Sequence, residues 1–269
     1  MSVDRELLRT VSASTVALGY LRGTPLEWKH DPVAQFEIQG TGFVIAPGVV
    51  LTTRHTINAL KDIRDNGTVP PTALRVGFIL PESSTRLTLI VAELRSFGSI
   101  DHVDYDLGIV NHRRSAATDA APPLSVGEHF EAHVTDDVFC VGFPGGSSAL
   151  RRRDEKGVPR SYRFGAVVQQ GHVSALAPFD GSALIERVLL DMRTQKGMSG
   201  GPVVACSSGQ VIGVHQAGIG DMVAFAVPLD QPFLASLIGI AGNLEALSTT
   251  DSQRMPNVTV PTVRRRMAD

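Results

Sequence analysis

Residues 197–202 read Gly197-Met198-Ser199-Gly200-Gly201-Pro202. Glycine on both sides of a serine permits a sharp turn and a close backbone approach, which is how a serine nucleophile is presented. A serine hydroxyl is a poor nucleophile at neutral pH. It needs a base within hydrogen-bond reach and a third group that fixes the tautomer of that base. Both lie upstream, in Leu51-Thr52-Thr53-Arg54-His55 and in Asp104-Tyr105-Asp106-Leu107-Gly108-Ile109-Val110. The order along the chain is His, Asp, Ser, and each stands beside an apolar run that reads as a β-strand.

Ser199 is therefore the candidate nucleophile, His55 the candidate general base and Asp106 the candidate orienting carboxylate. Asp104 and His102 compete nearby, but Asp106 directly precedes the Leu-Gly-Ile-Val strand. The segment Gly197, Met198, Ser199 is the candidate oxyanion hole, with the backbone N–H groups of Gly197 and Ser199 as donors. An esterase of the α/β-hydrolase type needs Ser before Asp before His, an order this chain reverses. A peptide-binding scaffold that has lost catalysis is the other rival, and an intact set of three argues against it.

The strand pattern sets the fold expectation. Apolar runs at 14–21, 35–45, 49–52, 74–80, 87–94 and 107–110 give six strands, with a hairpin around Ala46-Pro47-Gly48. A second set follows at 137–141, 165–173, 183–190, 201–205, 211–216 and 222–227. The chain is expected to be all-β: two six-stranded antiparallel β-barrels with a C-terminal helix. Residues 1–11 form an N-terminal helical extension and 12–112 the first barrel, which carries His55 and Asp106. Residues 113–125 connect it to a second barrel at 126–230, which carries Ser199 and the specificity pocket. The helix covers 231–247 and a flexible tail 248–269. The charged stretch Arg151–Arg160 reads as a solvated surface loop, or else as one that contacts substrate or invites processing.

Composition bounds the rest. The 269 residues are 43% hydrophobic and 19% charged, enough for a sizeable core, and the net charge of −2 gives no general case for nucleic acid or membrane binding. The N-terminus lacks a run of signal-peptide length, and no stretch nears the roughly 18 apolar residues that span a bilayer. Two cysteines, Cys140 and Cys206, fit a reducing cytoplasm as buried free thiols, with a Cys140–Cys206 bridge as the alternative. The chemistry calls for no cofactor and no metal, and His30, His102, His112, His129, His133 and His172 lack metal-ligand spacing.

Over roughly residues 12–245 the chain resembles the trypsin-like serine proteases of the chymotrypsin fold. The resemblance rests on Gly-Thr-Gly-Phe-Val-Ile (40–45), Leu-Thr-Thr-Arg-His (51–55), Val-Gly-Phe-Pro-Gly (141–145) and Ala-Phe-Ala-Val-Pro (224–228). In motif it is most like bacterial glutamyl endopeptidases and HtrA-like enzymes, and it is similar to picornaviral cysteine proteases in the same region. The resemblance implies a serine endopeptidase acting on protein or peptide substrates. It also implies a P1 pocket, with Thr194 and His215 placed to hydrogen-bond a Glu or Gln side chain. Arg193 offers another acidic arrangement, Phe225 and Ala226 line the strand beyond, and a small or apolar P1 residue is the alternative. Digestive members carry an aspartate just before the nucleophile, which pairs with a new N-terminus after activation cleavage. Met198 stands there instead, so the oxyanion hole is expected to form by local packing or with an activating partner protein.

Overall fold

Short apolar runs close the chain into two barrels, seen in a computed structural model that describes residues 3–30, 35–67, 69–81, 87–99, 105–144, 149–153, 159–163, 166–178, 185–193, 195–219 and 223–248. Helix α1 (Arg5–Ser14), capped by the Asp4 carboxylate, leads into β1 (Thr15–Leu21). Helix α2 (Pro25–His30), β2 (Phe36–Ala46), β3 (Val49–Thr52) and helix α3 (Arg54–Asp65) follow. Strands β4 (Leu74–Pro81), β5 (Leu87–Ser99) and β6 (Gly108–His112) complete the first barrel, closed in the order β1-β2-β3-β6-β5-β4. Val16, Leu18, Val44, Val50, Val76, Phe78 and Val110 fill its interior.

The second half runs β7 (Asp137–Gly142), β8 (Ala149–Arg153), β9 (Pro159–Arg163), β10 (Val167–Ala177), β11 (Arg187–Leu190), β12 (Pro202–Ala205), β13 (Val211–Ile219) and β14 (Val223–Pro228). Six of these close a second barrel in the order β10-β11-β14-β13-β12-β7, around Val138, Cys140, Val188, Leu190, Val203 and Ala226. Helix α4 (Gln231–Ser248) ends the described chain. The fold is thus all-β, two closed six-stranded antiparallel barrels with a C-terminal helix.

Between the barrels lies a continuous apolar seam. Phe43, Leu51, Leu107 and Ile109 from the first meet Phe139, Val141, Val204 and Val214 from the second, and α1 and α4 add Val11, Phe233 and Leu237. Hydrogen bonds fix the two helices across it. Asn111 donates through Nδ2 to the Ala241 carbonyl at 2.9 Å, and the Ser14 hydroxyl donates to the Pro122 carbonyl at 2.6 Å. The connection is tied down as well, since Leu124 N donates to Val44 O at 3.0 Å.

The structure departs from the sequence reading at a few places. The stretch Arg151–Arg160, read as a loop, contributes to the hairpin β8–β9, in which Arg152 pairs with Arg160; residues 154–158 lie outside the described residues. Its sequence lacks the apolar alternation that marks a half-buried strand, so periodicity passes over it. Helices α2 and α3 are additional elements, and α1 extends to Ser14. The tail expected from 248 lies, from residue 249, outside the described residues. Both cysteines are free, Cys140 buried and Cys206 partly so. Among the described residues no helix is long and apolar enough to cross a membrane.

Candidate active site

His55, the candidate base, sits on a helix rather than at a bare strand end. Strand β3 stops at Thr52, Thr53 is the extended residue that opens α3, and His55 is the second residue of that helix. Thr56, Ile57 and Leu60 form the buried face that seats α3 on the first barrel, and this fixes the backbone that carries the imidazole. Asp106, just ahead of β6, grips His55 twice. Its Oδ1 accepts from the His55 backbone N–H at 3.0 Å, and its Oδ2 makes a short hydrogen bond with ring Nδ1. Arg54 Nε lies 3.8 Å from the same carboxylate. Burial alone pushes the Asp106 carboxyl upward, but the bonds from His55 and the Arg54 charge outweigh it and hold the group below the ordinary carboxylate range. The carboxylate is therefore ionised at neutral pH and accepts a hydrogen bond from Nδ1–H.

Ser199 lies in the turn before β12. Gly197 (φ 100°) and Gly200 (φ 90°) both occupy the left-handed region, which side chains with a Cβ rarely adopt. At Gly200 space adds a second requirement, because a Cβ there would run into the Thr41 carbonyl and the Thr52 hydroxyl. That close approach presses the nucleophile turn of the second barrel against β2 and β3 of the first. Thr41 N donates to Ser199 O at 3.0 Å and Thr52 Oγ1 donates to Thr41 O at 2.6 Å, only three residues from His55. The backbones of the candidate base and candidate nucleophile are thus braced together. The last link is open in this state: among the described residues the Ser199 hydroxyl makes no hydrogen bond, and His55 Nε2 lies 3.4 Å from Thr53 Oγ1. Catalytic hydrogen bonds are often loose before substrate binds.

His215, on β13, stands directly behind the nucleophile. Its carbonyl accepts from Gly200 N at 2.8 Å, its N–H donates to Gly201 O at 2.9 Å, and it pairs in register with Ala226. The side chain is 1% exposed, yet neither ring nitrogen has a hydrogen-bond partner among the described residues. Buried polar atoms are satisfied in the great majority of cases, so this pair of nitrogens needs an explanation. Burial, with a smaller contribution from the nearby His55, pulls the His215 pKa down to about 4, so the ring is neutral at neutral pH.

The other expected pocket residues differ in exposure. Ala226 is fully buried in the barrel interior, Phe225 is partly exposed and Arg193 is exposed, while Thr194 lies outside the described residues, as do His102 and Asp104. Met198 is fully buried in the apolar interior of the second barrel, with Cys140, Leu190 and Val203 in the same cluster. Neither cysteine rivals Ser199: burial pushes the Cys140 thiol up to about 12, and burial also raises Cys206. Among the described residues no group of three His, Cys, Asp or Glu side chains is arranged to hold a metal ion.

Residues 40–214, more than half of the chain, match the family model of the trypsin-like peptidase domain. The chain belongs to this family. A comparison with curated proteins finds no match. Among solved structures, this trypsin-like domain is similar to the serine endoprotease from Yersinia pestis at 19% identity and a TM-score of 0.54, covering 91% of this chain and 68% of that one. Likeness at that identity is likeness of fold. The sequence reading of the domain missed Thr41, Thr52 and Thr53 as parts of the site. Their signal was present, because all three sit in the motif segments 40–45 and 51–55, but a buried threonine announces its partners only in three dimensions.

Proposed function

We propose that this trypsin-like peptidase domain is a serine endopeptidase that cuts protein substrates after Glu or Gln. Ser199 Oγ attacks the scissile carbonyl carbon as His55 Nε2 takes its proton, and the carbonyl electrons move onto oxygen. The N–H groups of Gly197 and Ser199 donate to that oxyanion. Collapse of the tetrahedral intermediate breaks the C–N bond, His55 returns the proton to the leaving amine, and an acyl-Ser199 ester remains. Water, deprotonated by His55, then releases the acid product. Asp106 holds the imidazole in the correct tautomer and stabilises the imidazolium as it forms.

The observation that carries the reading is the two-point grip of Asp106 on His55, beside a nucleophile turn pressed onto the same strand pair. Support for P1 recognition comes from His215, a neutral buried imidazole whose donor and acceptor have no partner among the described residues. A Gln carboxamide can use both, and a Glu carboxylate can use the donor. The open link between Ser199 and His55 supports closure when substrate or an activating partner binds. Activation through a new N-terminus is not part of the proposal, because Met198 carries no charge and is buried with apolar side chains such as Cys140, Leu190 and Val203. The two free cysteines fit a reducing compartment such as the cytoplasm.

Turnover of peptides that differ only at P1 tests the specificity. Glu or Gln peptides are expected to exceed Leu and Ala peptides by at least about tenfold in kcat/KM, a margin His215→Ala removes. Equal turnover of all four overturns it.

A further inference from the structure

Two of the four peptide planes around the nucleophile turn are held by a single residue of the other barrel, Thr41. Its hydroxyl is fully buried and donates to the Gly197 carbonyl at 2.6 Å, while accepting from Phe143 N at 2.9 Å. Its backbone N–H donates to the Ser199 carbonyl at 3.0 Å. The side chain is wedged: a Cβ built on Gly142 would lie 3.1 Å from both Thr41 Oγ1 and the Met198 Cα.

Successive planes of the turn alternate in function. In the 197–198 plane, the carbonyl is held by the Thr41 hydroxyl and the Met198 N–H by Gln195 O at 3.1 Å. In the 199–200 plane, the carbonyl is held by Thr41 N and the Gly200 N–H by His215 O at 2.8 Å. Between them, the 198–199 plane carries the Ser199 N–H and is set by Gly201 N on the Met198 carbonyl at 3.0 Å. The 196–197 plane carries the Gly197 N–H and has no hydrogen bond of its own among the described residues. The direction of the Gly197 N–H therefore depends on how the next plane is held, across a glycine at φ 100° that has wide rotational freedom.

We propose that Thr41 is a positioning residue for catalysis: its hydroxyl pins the Gly197 carbonyl and so aims the Gly197 N–H at the developing oxyanion. This rests on the serine endopeptidase reading above. Without the hydroxyl, the Gly197 carbonyl and the Phe143 N–H both lose their partner, and the freed carbonyl rotates toward another donor. A donor misplaced by about 1 Å at a reacting centre costs on the order of 100-fold in rate.

The test is saturation labelling with a fluorophosphonate, whose P=O oxygen occupies the oxyanion position, on wild type, Thr41→Val, Thr41→Ala and Thr41→Ser. Thr41→Val and Thr41→Ala are expected to lower the limiting labelling rate by about 30- to 100-fold, with half-saturation within about twofold of wild type. Thr41→Ser, which keeps the hydroxyl, returns to within about threefold. A loss of packing alone would not be rescued by serine, which restores no methyl group. Folding of each variant is checked by thermal unfolding, and Thr41→Ala covers the case in which the bulkier valine does not fold. A folded hydroxyl-free variant that labels at the wild-type limiting rate overturns the proposal while leaving the peptidase reading intact. Wild-type labelling that survives Ser199→Ala overturns both.

Discussion

Asp106 holds His55 through two different atoms, the backbone N–H at 3.0 Å and the ring Nδ1. The pairing fixes the imidazole in position as well as in tautomer, because the backbone contact locks the first turn of α3 against the loop that leads into β6. Orientation of this kind is what a nucleophilic serine needs from its third group.

Asp106→Asn keeps the shape and reverses one polarity, since an amide NH2 cannot accept from Nδ1–H. The imidazole is then held in the wrong tautomer. Peptide hydrolysis is expected to fall by about 1,000- to 10,000-fold in kcat while the melting curve shifts little. Activity within tenfold of wild type would show that Asp106 is not the orienting group.

Acid should destabilise the domain through His215. Its folded pKa of about 4 lies below the value near 6.5 of a free imidazole, so between these pH values the unfolded chain binds a proton that the folded chain does not. Stability therefore falls as the pH drops from about 6.5 to 4, by on the order of 3 kcal/mol, and is unaffected by this group above that window. Asp106 acts in the same direction, being held below its ordinary value, with its contribution lost as the pH falls through its folded pKa. Urea unfolding at a series of pH values should show His215→Gln with a flatter slope than wild type across that range. Parallel slopes would mean that His215 is not held neutral.

How much of this was legible beforehand differs from element to element. The strands were, because short apolar runs such as Thr15–Leu21 and Val49–Thr52 mark buried strands without any tertiary knowledge. Helix α2 also carries a signature in the sequence. Thr24 and Glu27 stand at capping-box spacing, and in the structure Thr24 N donates to the Glu27 carboxylate at 2.6 Å. Helix α3 is marked in the sequence by Ile57, Leu60 and Ile63 at helical spacing directly after His55. The three site residues were named from types and order alone. The brace by Thr41 and the unpartnered nitrogens of His215 were not legible, because both depend on which backbone atoms two distant strands bring together.

Met198 is fully buried in the apolar interior of the second barrel. Truncation to alanine leaves a cavity beneath the oxyanion segment and is expected to cost about 3 kcal/mol of stability. Met198→Asp buries a carboxylate with no partner and should be worse than the alanine variant. Chemical denaturation of the three proteins checks the order; an aspartate variant as stable as wild type would show that an ion-pair partner is in reach.

Gly200→Ala tests the seam between the barrels. The new Cβ meets the Thr41 carbonyl and the Thr52 hydroxyl at a residue with φ 90°, so neither space nor backbone accommodates it. A loss of at least about 3 kcal/mol is expected, with peptidase activity lost at temperatures where the protein remains folded. Normal stability and activity would mean that the turn and β2 are not in contact in solution.

The central claim is that Ser199 is the nucleophile. The direct measurement is mass spectrometry of the intact protein after fluorophosphonate treatment, wild type beside Ser199→Ala. A single adduct is expected on wild type, mapped to Ser199, and none on the variant. Equal labelling of the two proteins, or a single adduct on another residue, would contradict it.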